Sequence, residues 1–314
     1  MLFVWIGIIA TILILAVLVG AFIVYRMAFG RDDKRICGTE DFPDTPFYMP
    51  YADIMRKDIR KFNELPCEEV TTLSHDGLKL YGKYYHNKDN MPVIIFFHGY
   101  RSNSARDGSG IHALGKAKGV NVLVVTQRSH GESEGKSITF GINESRDCLQ
   151  WIEFVKERFG EDKKVILWGI SMGAATVLTA AGRGLPDNVL GIGADCGFSS
   201  PRAIIRSVIK SMKLPVGPSY QLAKLGARIY GGFNLEETSA FEAMQKVNVP
   251  VLFIHGEADD FVPCDMSRKN YEACVSDKEL LLVKEAGHGM SYYVDMEKVE
   301  NGVYAFLDKI MKDV

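Results

Sequence analysis

From Leu2 to Tyr25 the chain carries no charged residue, and the run is rich in Ile, Leu and Val. As a helix rising about 1.5 Å per residue it spans roughly 36 Å, enough to cross a hydrocarbon core of about 30 Å with some tilt. A cleaved signal peptide would show a basic segment first, an apolar stretch of about 7–15 residues and a small-residue cleavage site. Here the apolar run is longer, nothing basic precedes it and no A-x-A closes it. An uncleaved membrane anchor over residues 1–27 is therefore expected. Arg26, Arg31, Lys34 and Arg35 follow the run, and the positive-inside tendency favours the cytoplasmic side for the rest of the chain.

After the anchor, Gly30 to Pro50 is rich in charge, Pro and Gly and reads as a linker. Ile54, Met55, Ile59 and Phe62 recur at helical spacing, so a short amphipathic helix is expected over Tyr51–Asn63, ended by Pro66. Its apolar face could pack beside the domain or rest on a membrane surface. Residues 28–66 form this connecting region, and 67–314 the main domain.

The domain alternates between two patterns. Glu68–Ser74 and Lys79–His86 flank Asp76-Gly77, a hairpin signature. Pro92–Phe97, Val120–Val125, Val165–Trp168, Val189–Ala194, Val249–His255 and Glu279–Val283 are short apolar runs, as strands buried on both faces should be. Helical segments are expected between them, near Ile111–Lys118, Asn143–Phe159, Ala174–Arg183, Ser267–Val275 and Gly289–Met311. A hairpin followed by strand–helix alternation predicts an α/β fold with an eight-stranded, mostly parallel, doubly wound sheet. About fifty residues separate the strands ending near Ala194 and starting near Val249, more than one crossover helix needs. Helices are expected there at Pro201–Met212, at Ser219–Tyr230 and before Pro250, part of them forming a small helical cap within about 199–246.

Composition narrows the function classes. The chain has 314 residues, is 47% hydrophobic and 24% charged, and has a net charge of −2, so it shows no basic surface of the kind nucleic acid requires. The six cysteines, Cys37, Cys67, Cys148, Cys196, Cys264 and Cys274, are scattered without metal-ligand spacing and read mostly as free thiols.

The chemistry concentrates at the ends of the expected strands. Gly169-Ile170-Ser171-Met172-Gly173 follows one buried strand and precedes an Ala-rich helix, the context that turns G-x-S-x-G into a nucleophile elbow. Ser171 then stands at a helix N-terminus, where free N–H groups and the dipole favour negative charge. A serine nucleophile needs a base, and the base an orienting carboxylate. His288, between Gly287 and Gly289 after the last strand, fits the base, and Asp259 and Asp260 compete for the acid. Phe97-His98-Gly99-Tyr100 ends another strand, so the backbone N–H groups of Tyr100 and Met172 are the expected oxyanion donors. His98 reads as a loop-bracing histidine.

These four motifs, in this order, resemble the α/β-hydrolase superfamily from about Glu68 to the C-terminus. They are most similar to bacterial membrane-anchored hydrolases akin to serine aminopeptidases and monoacylglycerol lipases. The resemblance implies that the acid is the aspartate four residues after His255, which is Asp259. Arg128, His130, Gly131 and Ser133 match a D-x-R-x-H-G-x-S loop that braces the site in that superfamily; Thr126 stands where its aspartate would be. The implied activity is hydrolysis of an ester, thioester or amide through an acyl-enzyme, as in carboxylesterases, lipases or peptidases, with no metal or organic cofactor and an acyl or lipid substrate. An acyltransferase on the same fold and a non-catalytic ligand receptor are the alternatives.

Overall fold

Apolar segments in this chain form the inner strands, the buried helix Met172–Ala181 and the first helix. A computed structural model describes residues 1–31, 33, 40, 42 and 44–312; Cys37, with the bulk of the linker before Phe42, lies outside them. The eight strands are β1 (Glu68–Leu73), β2 (Lys79–Tyr85), β3 (Val93–Phe97), β4 (Asn121–Thr126), β5 (Val165–Ile170), β6 (Val189–Asp195), β7 (Val251–Gly256) and β8 (Lys278–Val283). They form one sheet in the order β1-β2-β4-β3-β5-β6-β7-β8. β2 is antiparallel to both β1 and β4, and every other pairing is parallel. This is the mostly parallel eight-stranded α/β-hydrolase sheet that the sequence pattern leads one to expect.

Alternating side chains explain why the inner strands are apolar throughout. In β3, Val93, Ile95 and Phe97 join one core while Ile94 and Phe96 join the other. One face is covered by α4 (Ile142–Phe159), α5 (Met172–Ala181), α8 (Ala240–Met244) and α9 (Asp265–Ala273), with Trp151 and Leu178 at its centre. The other is covered by α2 (Ala52–Asn63), α3 (Ser104–Ala117) and α11 (Met296–Ile310), through Phe62, Leu114 and Phe306. The apolar side of α2 is thus packed beside the domain, with Met55, Ile59 and Phe62 buried.

Two boundaries differ from the sequence reading for local reasons. α3 begins at Ser104 rather than near Ile111, because the Asn103 side chain accepts from the Arg106 N–H and caps a polar, glycine-containing first turn. The helix expected over Gly289–Met311 is broken into α10 (Ser291–Val294) and α11, with Asp295 capping the second by accepting from the Lys298 N–H. Among the described residues Cys67, Cys148, Cys196, Cys264 and Cys274 are free.

A third core lies over the C-terminal ends of the strands. α6 (Pro201–Ser211) and α7 (Val216–Gly226), continued by a π-helical turn at Ala227–Gly231, bury Ile204, Ile205, Tyr220 and Ala223 against Met172, Phe198 and Val262. The same core contains Tyr25 and Phe29 from the end of α1 (Leu2–Ala28). The outer part of α1 stands clear of the protein, whereas Ala21, Tyr25 and Phe29 are buried. Gly226 makes the crossing possible: a Cβ there would fall 2.5 Å from the Ala21 carbonyl oxygen.

Candidate active site

Ser171 is the only non-glycine position in its pentapeptide motif with a left-handed backbone, at φ 55° and ψ −114°. That strain is expected where a strand turns abruptly into a helix and must project its side chain. The flanking glycines make the turn sterically possible. A Cβ on Gly169 would lie 2.2 Å from the Gly173 carbonyl carbon, and one on Gly173 would lie 1.9 Å from the Phe97 carbonyl oxygen. The elbow is tied to β6 as well, since the Ser171 N–H donates to the Asp195 carbonyl at 2.8 Å.

Loops from three other strands converge on this serine. His288 Nε2 is 2.9 Å from Ser171 Oγ, and His288 Nδ1 is 2.7 Å from Asp259 Oδ2. Asp259 Oδ1 accepts the N–H groups of Phe261 at 2.9 Å and Val262 at 2.8 Å. Its Oδ2 also lies 3.2 Å from His255 Nε2, whose Nδ1 faces Ser267 Oγ at 2.7 Å. Burial would raise the Asp259 carboxyl, but the hydrogen bonds of His255 and His288 outweigh it and hold the group well below the ordinary carboxylate range. An ionised acceptor at Nδ1 fixes the proton there and leaves Nε2 free to accept from Oγ–H. Asp260, the competitor in the sequence, is exposed.

Of the expected oxyanion donors, Met172 directly follows the serine and Tyr100 lines the same cavity. Met172 is the first residue of α5, so its N–H has no acceptor within the helix. The Phe97–Tyr100 loop runs against the elbow, with Gly99 N–H donating to Asp107 Oδ2 at 2.8 Å. His98 and His130 brace this loop. Nε2 of His98 accepts from Gln127 N–H, and Nε2 of His130 from Arg101 N–H, both at 3.0 Å, while each Nδ1 faces a carbonyl. Burial depresses both imidazoles, His130 to about 3, so they act as neutral struts. Arg128 holds the next loop through Asp147 and Asp76. With Ser133 Oγ donating to the Thr126 carbonyl, the loop is pinned without an aspartate at 126.

Three contributors are not apparent from the motifs. Tyr48 Oη donates to the His288 carbonyl at 2.7 Å, and Phe47 packs over Gly287, so the segment before α2 steadies the histidine loop. The end of α1 reaches the loop after β3: Tyr100 Oη donates to the Ala28 carbonyl at 2.9 Å and Arg101 Nη2 to the Met27 carbonyl at 2.8 Å. These are terminal helix carbonyls that need outside donors. The third is Asp195, at the end of β6, whose Oδ1 is buried with no hydrogen-bond partner. Its only sequence signal is a carboxylate closing an otherwise apolar strand.

Burial pushes Asp195 up to about 7. A carboxyl raised above its unfolded value binds more protons in the folded state between pH ~4 and ~7, so stability falls as pH rises through that window. Asp195→Asn removes the titration. The melting temperature of the variant, relative to wild type, is expected to rise between pH 5 and pH 8; an offset that stays constant would contradict the buried, unpaired carboxyl.

Two cavities meet at the serine. One of about 210 Å³ is lined by Tyr48, Arg106, Asp195, His288 and Tyr292. The other, about 360 Å³ and almost wholly apolar, runs between α1, α6 and α7. Among the described residues, two clusters have potential metal-ligand atoms in reach of one another. In His75, Asp76 and Asp147 the carboxylates already hold the Arg128 guanidinium, and the other, Cys196, Asp259 and His288, shares the hydrogen-bonded chain and a thiol that burial keeps protonated.

The geometry is matched by kinship. The protein YqkD of Bacillus subtilis (strain 168) is 29% identical over 235 residues, 74% of this chain and 77% of that one. The lysophosphatidylserine lipase ABHD12 of Danio rerio is 26% identical over 194 residues, 60% of this chain and 49% of that one. The Pyrococcus furiosus esterase Pf2001 superposes with a TM-score of 0.64 at 24% identity, over 81% of this chain and 93% of that one. The profile of the prolyl oligopeptidase family matches residues 134–314, more than half of the chain and the whole stretch from the elbow to the histidine loop. The chain belongs to the prolyl oligopeptidase family, within the α/β-hydrolase superfamily.

Proposed function

We propose that this chain is a membrane-anchored serine hydrolase that cleaves an ester, or a thioester or amide, of an acylated substrate. The observation that carries the reading is the continuous hydrogen-bonded line from Ser171 Oγ through His288 to Asp259. Ser171 Oγ attacks the acyl carbonyl while His288 Nε2 takes its proton, and Asp259 stabilises the resulting imidazolium. The backbone N–H groups of Tyr100 and Met172 hold the oxyanion. His288 then returns the proton to the leaving group, leaving an acyl-Ser171 ester. Water, deprotonated by the same imidazole, releases the acid and restores the serine. ABHD12 and Pf2001, described as a lipase and an esterase, support an ester over an amide.

Retention of α1 as an anchor is supported by the burial of its C-terminal end. Cleavage near residue 27 would strip Tyr25 from the third core and the carbonyl partners from Tyr100 and Arg101. Arg26, Arg31, Lys34 and Arg35 favour the cytoplasmic side for the hydrolase domain, which begins near residue 67. The test is turnover of p-nitrophenyl esters by the detergent-solubilised full chain. Wild type is expected to hydrolyse them and Ser171→Ala to lose at least about 10³-fold; equal rates would remove Ser171 from the reaction.

A further inference from the structure

The larger cavity at Ser171 is walled in part by the membrane helix itself. Val24 and Met27 of α1 face Val208 and Met212 at the end of α6 and Leu222 and Ala223 of α7, and Ser171 closes the inner end. The cap beside this cavity is apolar at its surface: Met212 and Leu214 of the lining are exposed, as is Ile229 farther along, and so are Phe22, Ile23 and Met27 of α1.

The exposed apolar face of α1 fixes where the bilayer sits. The protein begins to grip α1 at Leu18, whose carbonyl accepts from Tyr230 Oη at 3.1 Å. The apolar exposure of α1 continues past Leu18, at Val19, Phe22, Ile23 and Met27, into the part that lies against the cap, and the bilayer follows it there. The exposed cap residues beside it are then immersed with it, and Tyr230 takes the interfacial position that suits an amphipathic ring.

Charge agrees with that placement. Between residues 201 and 232 there are six cations, Arg202, Arg206, Lys210, Lys213, Lys224 and Arg228, and no acidic residue. Glu236 pairs with Lys224 and with Arg202. The others make the cap a basic, amphipathic surface of the type that lies on anionic lipid.

The geometry points to a lateral port. An acyl chain of a bilayer lipid enters between α1 and the α6–α7 cap and brings its ester carbonyl to Ser171 without crossing water. This rests on the hydrolase reading and names the substrate class for the same site. The smaller cavity at Ser171, which carries Arg106 and Tyr48, is left for the leaving group.

Two half-buried positions on opposite walls, Val24 and Ser219, allow the port to be filled without disturbing the fully buried core. In Val24→Trp and Ser219→Trp, the ratio of kcat/KM for p-nitrophenyl octanoate to that for the acetate is expected to fall at least tenfold. The second arm uses full-length Ser171→Ala in phosphatidylcholine–phosphatidylglycerol vesicles doped with a phosphatidylcholine bearing a diazirine at its acyl terminus. Irradiation is expected to label buried port residues such as Phe198, Ile204 and Ile205 as well as the outer face of α1. A ratio within twofold of wild type in both variants, with labels confined to Leu2–Val19, would overturn the port and leave the hydrolase standing. Interior labels from a monomeric lysolipid probe but none from the vesicle lipid would overturn the lateral route. If wild type hydrolyses neither ester, the hydrolase reading fails, and the vesicle crosslinks decide the port alone.

Discussion

Asp259→Asn is expected to lower ester turnover by about 10⁴-fold, chiefly in kcat, while Asp260→Asn stays within about twofold of wild type. Asp259 accepts at both oxygens: Oδ1 from two backbone N–H groups, Oδ2 from His288 and from the His255 side. An asparagine that keeps its oxygen on the Phe261 and Val262 N–H groups must turn its NH₂ toward His288. Nδ1 then becomes the acceptor and Nε2 carries the proton, so the ring can no longer take one from Ser171. KM should change little, because the carboxylate lies behind the imidazole, away from bound substrate. Steady-state kinetics on a p-nitrophenyl ester, with the unfolding midpoint measured alongside, checks this. A larger loss from Asp260→Asn would reverse the assignment.

Gly173→Ala is expected to be the most destabilising small substitution in the chain. The new methyl would sit 1.9 Å from the Phe97 carbonyl oxygen and 2.5 Å from its carbon, both backbone atoms of the central strand β3. No side chain can swing away, so α5 must separate from β3 or the elbow must unwind. The loss is expected to be about 3 kcal/mol or more, which in a domain of this size lowers the melting temperature by about 6–12 °C. Gly217→Ala is the control: nothing lies within 4 Å of the point its methyl would occupy. In a helix that change should be neutral or slightly stabilising. Equal melting temperatures for the two variants would show that the close approach of α5 to β3 is not rigid.

The contrast between these glycines shows what a single sequence conveys. The strands were legible because residues such as Ile94–Phe97 must be apolar on both faces. Gly169, Ser171 and Gly173 were legible because the strained turn leaves almost no other choice at those positions. Asp259 was not separable from Asp260 by residue type or spacing; their difference is burial and contact with His288, which depend on how the loop after β7 closes. The contact between α1 and the loop after β3 was equally hidden. Hydropathy marks Leu2–Tyr25 as one uniform stretch, yet Val24 and Tyr25 pack into the third core, and the Met27 and Ala28 carbonyls just beyond hold Arg101 and Tyr100. Nor does local pattern locate Asp195 beside Ser171, since the β6–Ser171 hydrogen bond joins segments far apart in the chain.

The central claim is that Ser171 is an activated nucleophile. The direct measurement is to treat the detergent-solubilised full chain with a fluorophosphonate probe, digest it and locate the adduct by tandem mass spectrometry. A single phosphonyl group on Ser171, absent in Ser171→Ala and strongly slowed in His288→Ala, is the expected result. No adduct on Ser171, or labelling of Ser171 that is undiminished in His288→Ala, would contradict the account.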